Sequence, residues 1–412
     1  MKRRKLTCLE LYPRALCRYY GPMKETLFDQ IIDRKGSGSI KWERTEKLYG
    51  SPDVLPMWVA DMDFPAPGPV IRALTERVEH PIYGYTEAGD AAVNAVTGRM
   101  RRLYGWALAE ADLIFTPGVV PAMAVAVRAC TEPGDGVLVM PPVYPPFFSL
   151  IPEEGRRIIE SPLRCTEEGS WEIDFDDLDR KAAGAKMLLL CSPHNPVGRT
   201  WTRDELETLA QTAARHNLTV ISDEIHGEII YPENEHIPFA GLNEDAGGRT
   251  ITCIAASKTF NVAGLATSVC IIEDPALRRA VKASLGSITG HANLFGLTAL
   301  TAAFNSGDDW LAELIEYLDA NRRLTADFFA AECPGISANL PEATFLSWLD
   351  CRETGMKDSE LARFFARKAR VGLNPGVSFG TGGAGFMRLN FGTPRALLEE
   401  GLGRIQKAFS RG

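Results

Sequence analysis

The sequence has no apolar run approaching the ~18 residues that a membrane-spanning helix needs. It has no Cys-x-x-Cys, no His-x-His and no His-Glu-x-x-His, so the common zinc-binding and thiol-redox spacings are missing. Basic residues are in deficit: 45 Lys and Arg face 53 Asp and Glu, a formal net charge of −8. That balance argues against a general nucleic-acid binder, which carries a basic patch. No internal repeat or low-complexity tract interrupts the chain. Cysteine is present but unpatterned: nine residues, an odd number, are scattered from Cys8 to Cys351. Cys191 in MLLLCSP and Cys270 in TSVCII sit inside apolar runs, where a thiol acts as a small core residue. The expectation is a reduced, cytoplasmic protein without a disulfide framework. With 412 residues, 45% hydrophobic and 24% charged, the chain has enough material for two or three globular domains.

The first 22 residues differ from the rest, with six basic residues against the single acid Glu10. The stretch LTCLELYPRALC is broken by Glu10, Pro13 and Arg14, so it lacks the apolar core of a secretory signal. Residues 1–22 are expected to be a disordered extension ahead of Met23 and the amphipathic KETLFDQIIDRKG.

From about residue 70 strand-like and helix-like patterns alternate. GVLVM (136–140), MLLLCS (187–192), LTVISDE (218–224), TITCIAAS (250–257) and SVCIIE (268–273) read as buried strands. PAMAVAVRACTE and TRDELETLAQTAARHN between them read as amphipathic helices. Such alternation implies βαβ units and a mainly parallel sheet covered on both faces. A large domain is expected over 70–308. Long helical patterns after about 308, then the strands ATFLSWLD and GFMRLNF, predict a smaller α+β domain from 309–412 together with 23–69.

In parallel sheets ligands sit at the carboxyl ends of strands. Three polar residues follow apolar runs there: Asn195 after MLLLCSPH, Asp223 after LTVIS and Lys258 after TITCIAAS. A buried Lys258 would lose part of its preference for the charged form and become a nucleophile toward an aldehyde; most lysines are only surface charges. Asp223 suits either a helix N-cap or a carboxylate that keeps a ring nitrogen protonated. Asn195, in the turn string SPHNPVG, is either a turn residue or an amide donor. Arg388 alternates with apolar neighbours in GFMRLNF, where a guanidinium serves a buried ion pair or a bidentate grip on a carboxylate. GTGGAG (380–385) matches a dinucleotide-binding pattern, but its glycines lead into a strand-like run where that fingerprint requires a helix. The six histidines form no metal-binding cluster.

Taken together, Asn195, Asp223, Lys258 and Arg388, at intervals of 28, 35 and 130 residues, resemble the fold-type I pyridoxal-phosphate (PLP) proteins of the class I/II aminotransferase superfamily. LPMWVADMDFP, IYGYT, TPGVVPA, PPVYPPF, SDEIH and FMRLN are similar to motifs of its MalY/PatB-like cystathionine β-lyase (C–S lyase) branch, from about Met23 to the end. The resemblance implies an α/β fold with a large, mainly parallel sheet and a smaller α+β domain. It implies Lys258 as the Schiff-base lysine and general base, Asp223 on the pyridinium nitrogen, Asn195 on the ring oxygen and Tyr144 stacked on the ring. Ser257 and the backbone of Val119 and Val120 would bind phosphate, at a helix start that favours anions. Tyr85 would reach the phosphate of a neighbouring subunit, implying a homodimer, and Arg388 would grip the substrate carboxylate.

Two positions depart from the wider aminotransferase pattern. Ala266 stands where many aminotransferases have a phosphate-binding arginine, and His226 where many have a ring-oxygen tyrosine. His226 is therefore either a cofactor contact or a packed neutral histidine. The implied reaction is α,β-elimination of L-cystathionine or a related cysteine S-conjugate to a thiol, pyruvate and ammonia. Transamination on the same scaffold is the first alternative, and an idle PLP-fold regulatory protein the second; no metal, nucleic acid or membrane enters any of these readings.

Overall fold

The computed structural model describes residues 26–286 and 292–410, so the expected extension 1–22 lies outside the described residues. Seven strands form the main sheet: β1 (Leu113–Thr116), β2 (Gly136–Val139), β3 (Arg157–Glu160), β4 (Met187–Cys191), β5 (Thr219–Asp223), β6 (Thr250–Ile254) and β7 (Ser268–Ile271). Their order is β1-β7-β6-β5-β4-β2-β3. Only β7 runs against its neighbours, β1 and β6; the other pairings are parallel. The carboxyl ends of β1, β2, β4, β5 and β6 therefore open on one edge.

The apolar runs look continuous in sequence because both sheet faces are covered. Val137, Val139, Met187, Leu189 and Ile221 pack on one side with Met123 and Val127 of the helix Val119–Cys130. Leu138, Leu188, Leu190 and Val220 point the other way, against Leu206 and Leu209 of the helix Arg203–Arg215. The alternation follows from the two-residue period of a strand. Burying each such side chain contributes about 1.5–3 kcal/mol. The second helix starts at a capping box, in which Thr202 and Glu205 satisfy each other's backbone N–H groups.

A second sheet comes from the last third of the chain: β8 (Ser337–Ala338), β9 (Leu346–Asp350), β10 (Asn374–Pro375) and β11 (Phe386–Asn390), antiparallel in the order β8-β9-β11-β10. An early segment joins this part of the molecule, since Leu55–Pro56 pairs in parallel with Val371–Gly372. The strap that follows, Trp58 to Phe64, is tied from both sides. Asn390 Nδ2 donates to Val59 O and Asp61 O at 2.6 and 2.7 Å, while Asn261 Nδ2 donates to Met62 O and Phe64 O at 3.0 and 2.7 Å. Asp63 anchors the strap through a buried ion pair with Lys41 at 2.7 Å.

TITCIAAS departs from its expected form. The strand stops at Ile254, and Ala256–Thr259 turns into a short helix that carries Ser257 and Lys258 away from the sheet edge. The antiparallel β7 was equally invisible in a run as apolar as its parallel neighbours.

Candidate active site

A cavity of about 410 Å³ opens at the carboxyl edge of the main sheet, between it and the second sheet. Val119, Val120, Tyr144, Asn195, Asp223, His226, Ser257, Lys258 and Arg388 all line it. Each arrives by its own route. Val119 and Val120 open the helix after β1, Tyr144 follows β2, Asn195 follows β4, Asp223 ends β5 and Lys258 follows β6. Arg388 comes from β11, opposite Trp348 on β9 and Asn374 on β10.

Lys258 is half-buried, and its Nζ donates to Ala60 O of the strap at 2.5 Å. Burial pushes its pKa down to about 8, helped by the Arg388 charge and opposed by Asp61 and Asp223. A neutral amine is thus accessible near physiological pH.

Asp223 is buried, which lifts its carboxyl to about 7; the Ile225 N–H and the Lys258 charge oppose the rise. Its Oδ1 accepts from Ile225 N at 3.2 Å, an Asx-type turn and not a helix cap, because no helix follows. Among the described residues no donor reaches Oδ2.

The next residue has the opposite fate. Glu224 turns away from the cavity into a closed polar cluster, where Oε1 accepts from Ser222 Oγ at 2.8 Å and Phe239 N at 3.0 Å. Its Oε2 lies 3.0 Å from His236 Nε2, and both side chains are almost fully buried. This cluster holds the turn after Asp223, and sequence reading missed it; the acid in SDEIH looked like part of a cofactor motif.

Arg388 is 5% exposed, yet no carboxylate pairs with it among the described residues. Nη1 donates to Asn195 Oδ1 at 2.9 Å, and Nη2 donates to Trp58 O at 2.9 Å and Asn374 Oδ1 at 3.0 Å. Its Nε has no partner among the described residues, and the guanidinium lies 5.0 Å from the centre of the Phe379 ring. Burial lowers its pKa to about 10. The ion-pair alternative is therefore not the one adopted: the guanidinium is oriented entirely by neutral groups. Asn195 spends its oxygen on Arg388, leaving its amide N–H₂ available.

His226 is buried with its ring 5.8 Å from Phe345 in an edge-on contact, and its Nδ1 has no partner among the described residues. Burial, then the Lys258 and Arg388 charges, hold it well below the usual histidine range, so it is neutral. Burial likewise raises the Tyr144 hydroxyl to about 12. Ala266 also lines the cavity, with φ +44° in the left-handed region.

A family model for aminotransferase class I and II matches residues 62–405. The chain belongs to this family. Within the aminotransferase family, it is 44% identical over 386 residues to the cystathionine beta-lyase PatB of Bacillus subtilis, covering 93% of this chain and 100% of the relative. Cystalysin from Treponema denticola, whose crystal structure contains a pyridoxal 5'-phosphate cofactor, superposes with a TM-score of 0.91 at 37% identity, over 93% of this chain and 98% of that one. The PLP-bound C–S lyase of Staphylococcus hominis gives a TM-score of 0.86 at 33% identity, over 93% and 99%. The fold is thus the fold-type I PLP-dependent arrangement expected from the sequence.

Tyr85 stands apart. It is fully exposed and does not line this chain's cavity. Five further residues line the cavity without having been given a role from sequence: Trp58 and Ala60 lie inside the LPMWVADMDFP motif, Cys191 read as plain core, and Asn374 and Phe379 were not singled out.

Proposed function

We propose that this protein is a PLP-dependent carbon–sulfur β-lyase that eliminates a thiol from L-cystathionine or a related cysteine S-conjugate. The single observation that carries the reading is the buried, carboxylate-free Arg388 guanidinium facing the same cavity as the Lys258 amine and the Asp223 carboxyl. A buried charge with no counter-ion is costly. A substrate carboxylate supplies one.

The donor set fits the cofactor. Asp223 Oδ2 has no partner among the described residues and suits a protonated ring nitrogen. The first-turn N–H groups of Val119 and Val120 have no intrahelical acceptors and suit a phosphate, with Ser257 beside them. Tyr144 offers an aromatic face and the Asn195 amide a donor for the ring oxygen. When bound, PLP supplies an aldehyde that captures amines and a ring that takes up the electrons released at the α-carbon.

This chain's residues then divide the work. Lys258 Nζ would be the amine that holds the cofactor and, when free, the base that takes the proton from the substrate α-carbon. Asp223 keeps the ring nitrogen protonated. Arg388 holds the substrate carboxylate through a forked contact, in an orientation fixed by Asn195, Trp58 and Asn374. His226, neutral and unprotonated at Nδ1 or Nε2, leaves one ring nitrogen to meet the bound groups. The products would be the thiol, pyruvate and ammonia, with one water consumed.

The assembly is proposed as a homodimer in which Tyr85 reaches the partner's phosphate site. In support, Ile71, Val78, Ile82, Tyr83 and Tyr85 all leave large apolar surface exposed in the single chain. The proposed domain division sets 23–69 and 309–412 apart from 70–308. Seven free cysteines among the described residues support a reduced, cytoplasmic setting. Incubation of the PLP-loaded protein with L-cystathionine tests the function: pyruvate and free thiol should accumulate together, and their absence with intact cofactor overturns it.

A further inference from the structure

A second cavity among the described residues is larger than the catalytic one. A cleft of about 930 Å³ lies between the strap-side segment 52–55, the turn 367–370 and the C-terminal helix Arg395–Phe409. Its charge is at odds with the chain as a whole. Lys35, Arg367, Lys368, Arg370, Arg404 and Lys407 face it, against only Asp53 and Glu400, a formal surplus of four positive charges in a protein whose net charge is −8.

The two acids are already engaged. Glu400 accepts from Arg404 at 2.5 Å, and Asp53 lies 4.0 Å from Arg370. Lys35, Arg367, Lys368 and Lys407 pair with no acidic side chain among the described residues. The backbone gathers three of these cations. Phe364–Ala369 is wound as a π-helix, a form concentrated at functional sites, and Arg370 ends it at φ +55°. A left-handed backbone is unfavourable for a non-glycine residue, and Arg370 adopts it directly after the π-helix residues Arg367 and Lys368, all three lining the cleft. Arg404 then fixes that wall, donating to Asp53 O at 2.9 Å and Arg370 O at 3.0 Å. The floor is apolar, with Leu55, Val54 and Leu397.

A concave surface of one sign concentrates counter-ions. The volume lies in the range of small-molecule sites. Each phosphate group carries about 1.5–2 negative charges near neutral pH, so two of them match the surplus of four. We infer that this cleft is a binding site for a small molecule carrying two phosphate groups, separate from the catalytic cavity.

Isothermal titration of the PLP-loaded protein with inorganic pyrophosphate tests this, because the catalytic phosphate site is then occupied. One saturable site per chain is expected. The exposed pair Arg367→Gln and Lys407→Gln together should weaken it at least tenfold, with thermal unfolding and basal turnover unchanged. Absence of saturable binding overturns the inference. So does equal binding by the double variant, or loss of binding in both proteins when chloride is raised to the same ionic strength, which would mark an ion atmosphere only. None of these outcomes depends on which reaction the catalytic cavity performs.

Discussion

Arg388 Nη1 donates to Asn195 Oδ1 at 2.9 Å, so the loop after β4 in the main sheet orients a guanidinium carried by β11 of the second sheet. The contact joins the two sheets across the cavity, and it consumes the amide oxygen while leaving the amide N–H₂ free. In the proposed function one asparagine would thereby serve two ligands, the substrate carboxylate through Arg388 and the cofactor ring oxygen directly.

Replacing Arg388 by Lys keeps a charge and loses the fork. Charge-assisted hydrogen bonds contribute roughly 1.5–3 kcal/mol, so kcat/KM should fall about 10- to 150-fold, mostly through KM. Steady-state kinetics with a visible-absorbance check of bound cofactor measures this. Release of the cofactor in place of a KM effect would make Arg388 a structural or phosphate-directed residue.

Lys258 should be the only lysine labelled when the loaded protein is reduced with borohydride and mapped by peptide mass. Lys258→Ala should lose the covalent link and its visible band, while the protein stays folded. A label on another lysine rejects the assignment.

The cofactor-free protein should show two opposite pH slopes in stability. Asp223 has its folded pKa raised from 3.8 to about 7, so the folded state holds the extra proton, and stability falls as pH rises from about 4 to 7. Lys258 has its folded pKa lowered from 10.5 to about 8, so the unfolded state holds the extra proton, and stability recovers as pH rises from about 8 to 10.5. Urea unfolding across pH measures both slopes, each amounting to a few kcal/mol at most, at about 1.4 kcal/mol per tenfold change in proton affinity. Asp223→Asn should abolish the first slope alone; a slope that survives belongs to another group.

His236→Leu removes the ring nitrogen that faces Glu224 Oε2, while Ser222 and Phe239 still hold Oε1. Leaving a buried acceptor unsatisfied costs about 1–3 kcal/mol, and the turn that carries Asp223 should loosen with it. Denaturant unfolding should register the loss, and cofactor affinity should drop in parallel. A change below about 0.5 kcal/mol would mean that the cluster does not hold the turn.

Much of this site was legible because strand ends are legible. Asn195, Asp223 and Lys258 each follow an apolar run too short for a helix, and the two-residue alternation of GFMRLNF singles out Arg388. What sequence could not reveal arrives through long-range contacts without periodicity. Ala60 accepts from Lys258 across 198 positions, and Trp58 from Arg388 across 330. The Glu224–His236 pair was hidden for a related reason: neither residue looks buried until the turn between them closes. The antiparallel β7 and the early end of β6 were hidden because a run buried on both faces carries no mark of its direction or of where helix begins.

The most direct measurement is the number of turnovers on L-cystathionine with no keto acid added. In the proposed reading both β-elimination and transamination would begin with Lys258 removing the α-proton, and they would differ only in where the electrons go next. An eliminating enzyme regenerates itself each cycle, so pyruvate, ammonia and homocysteine should appear in equal amounts, over many turnovers per active site. A transaminating enzyme would stop after one turnover per site with the amino group left on its cofactor, and that result would contradict the lyase assignment.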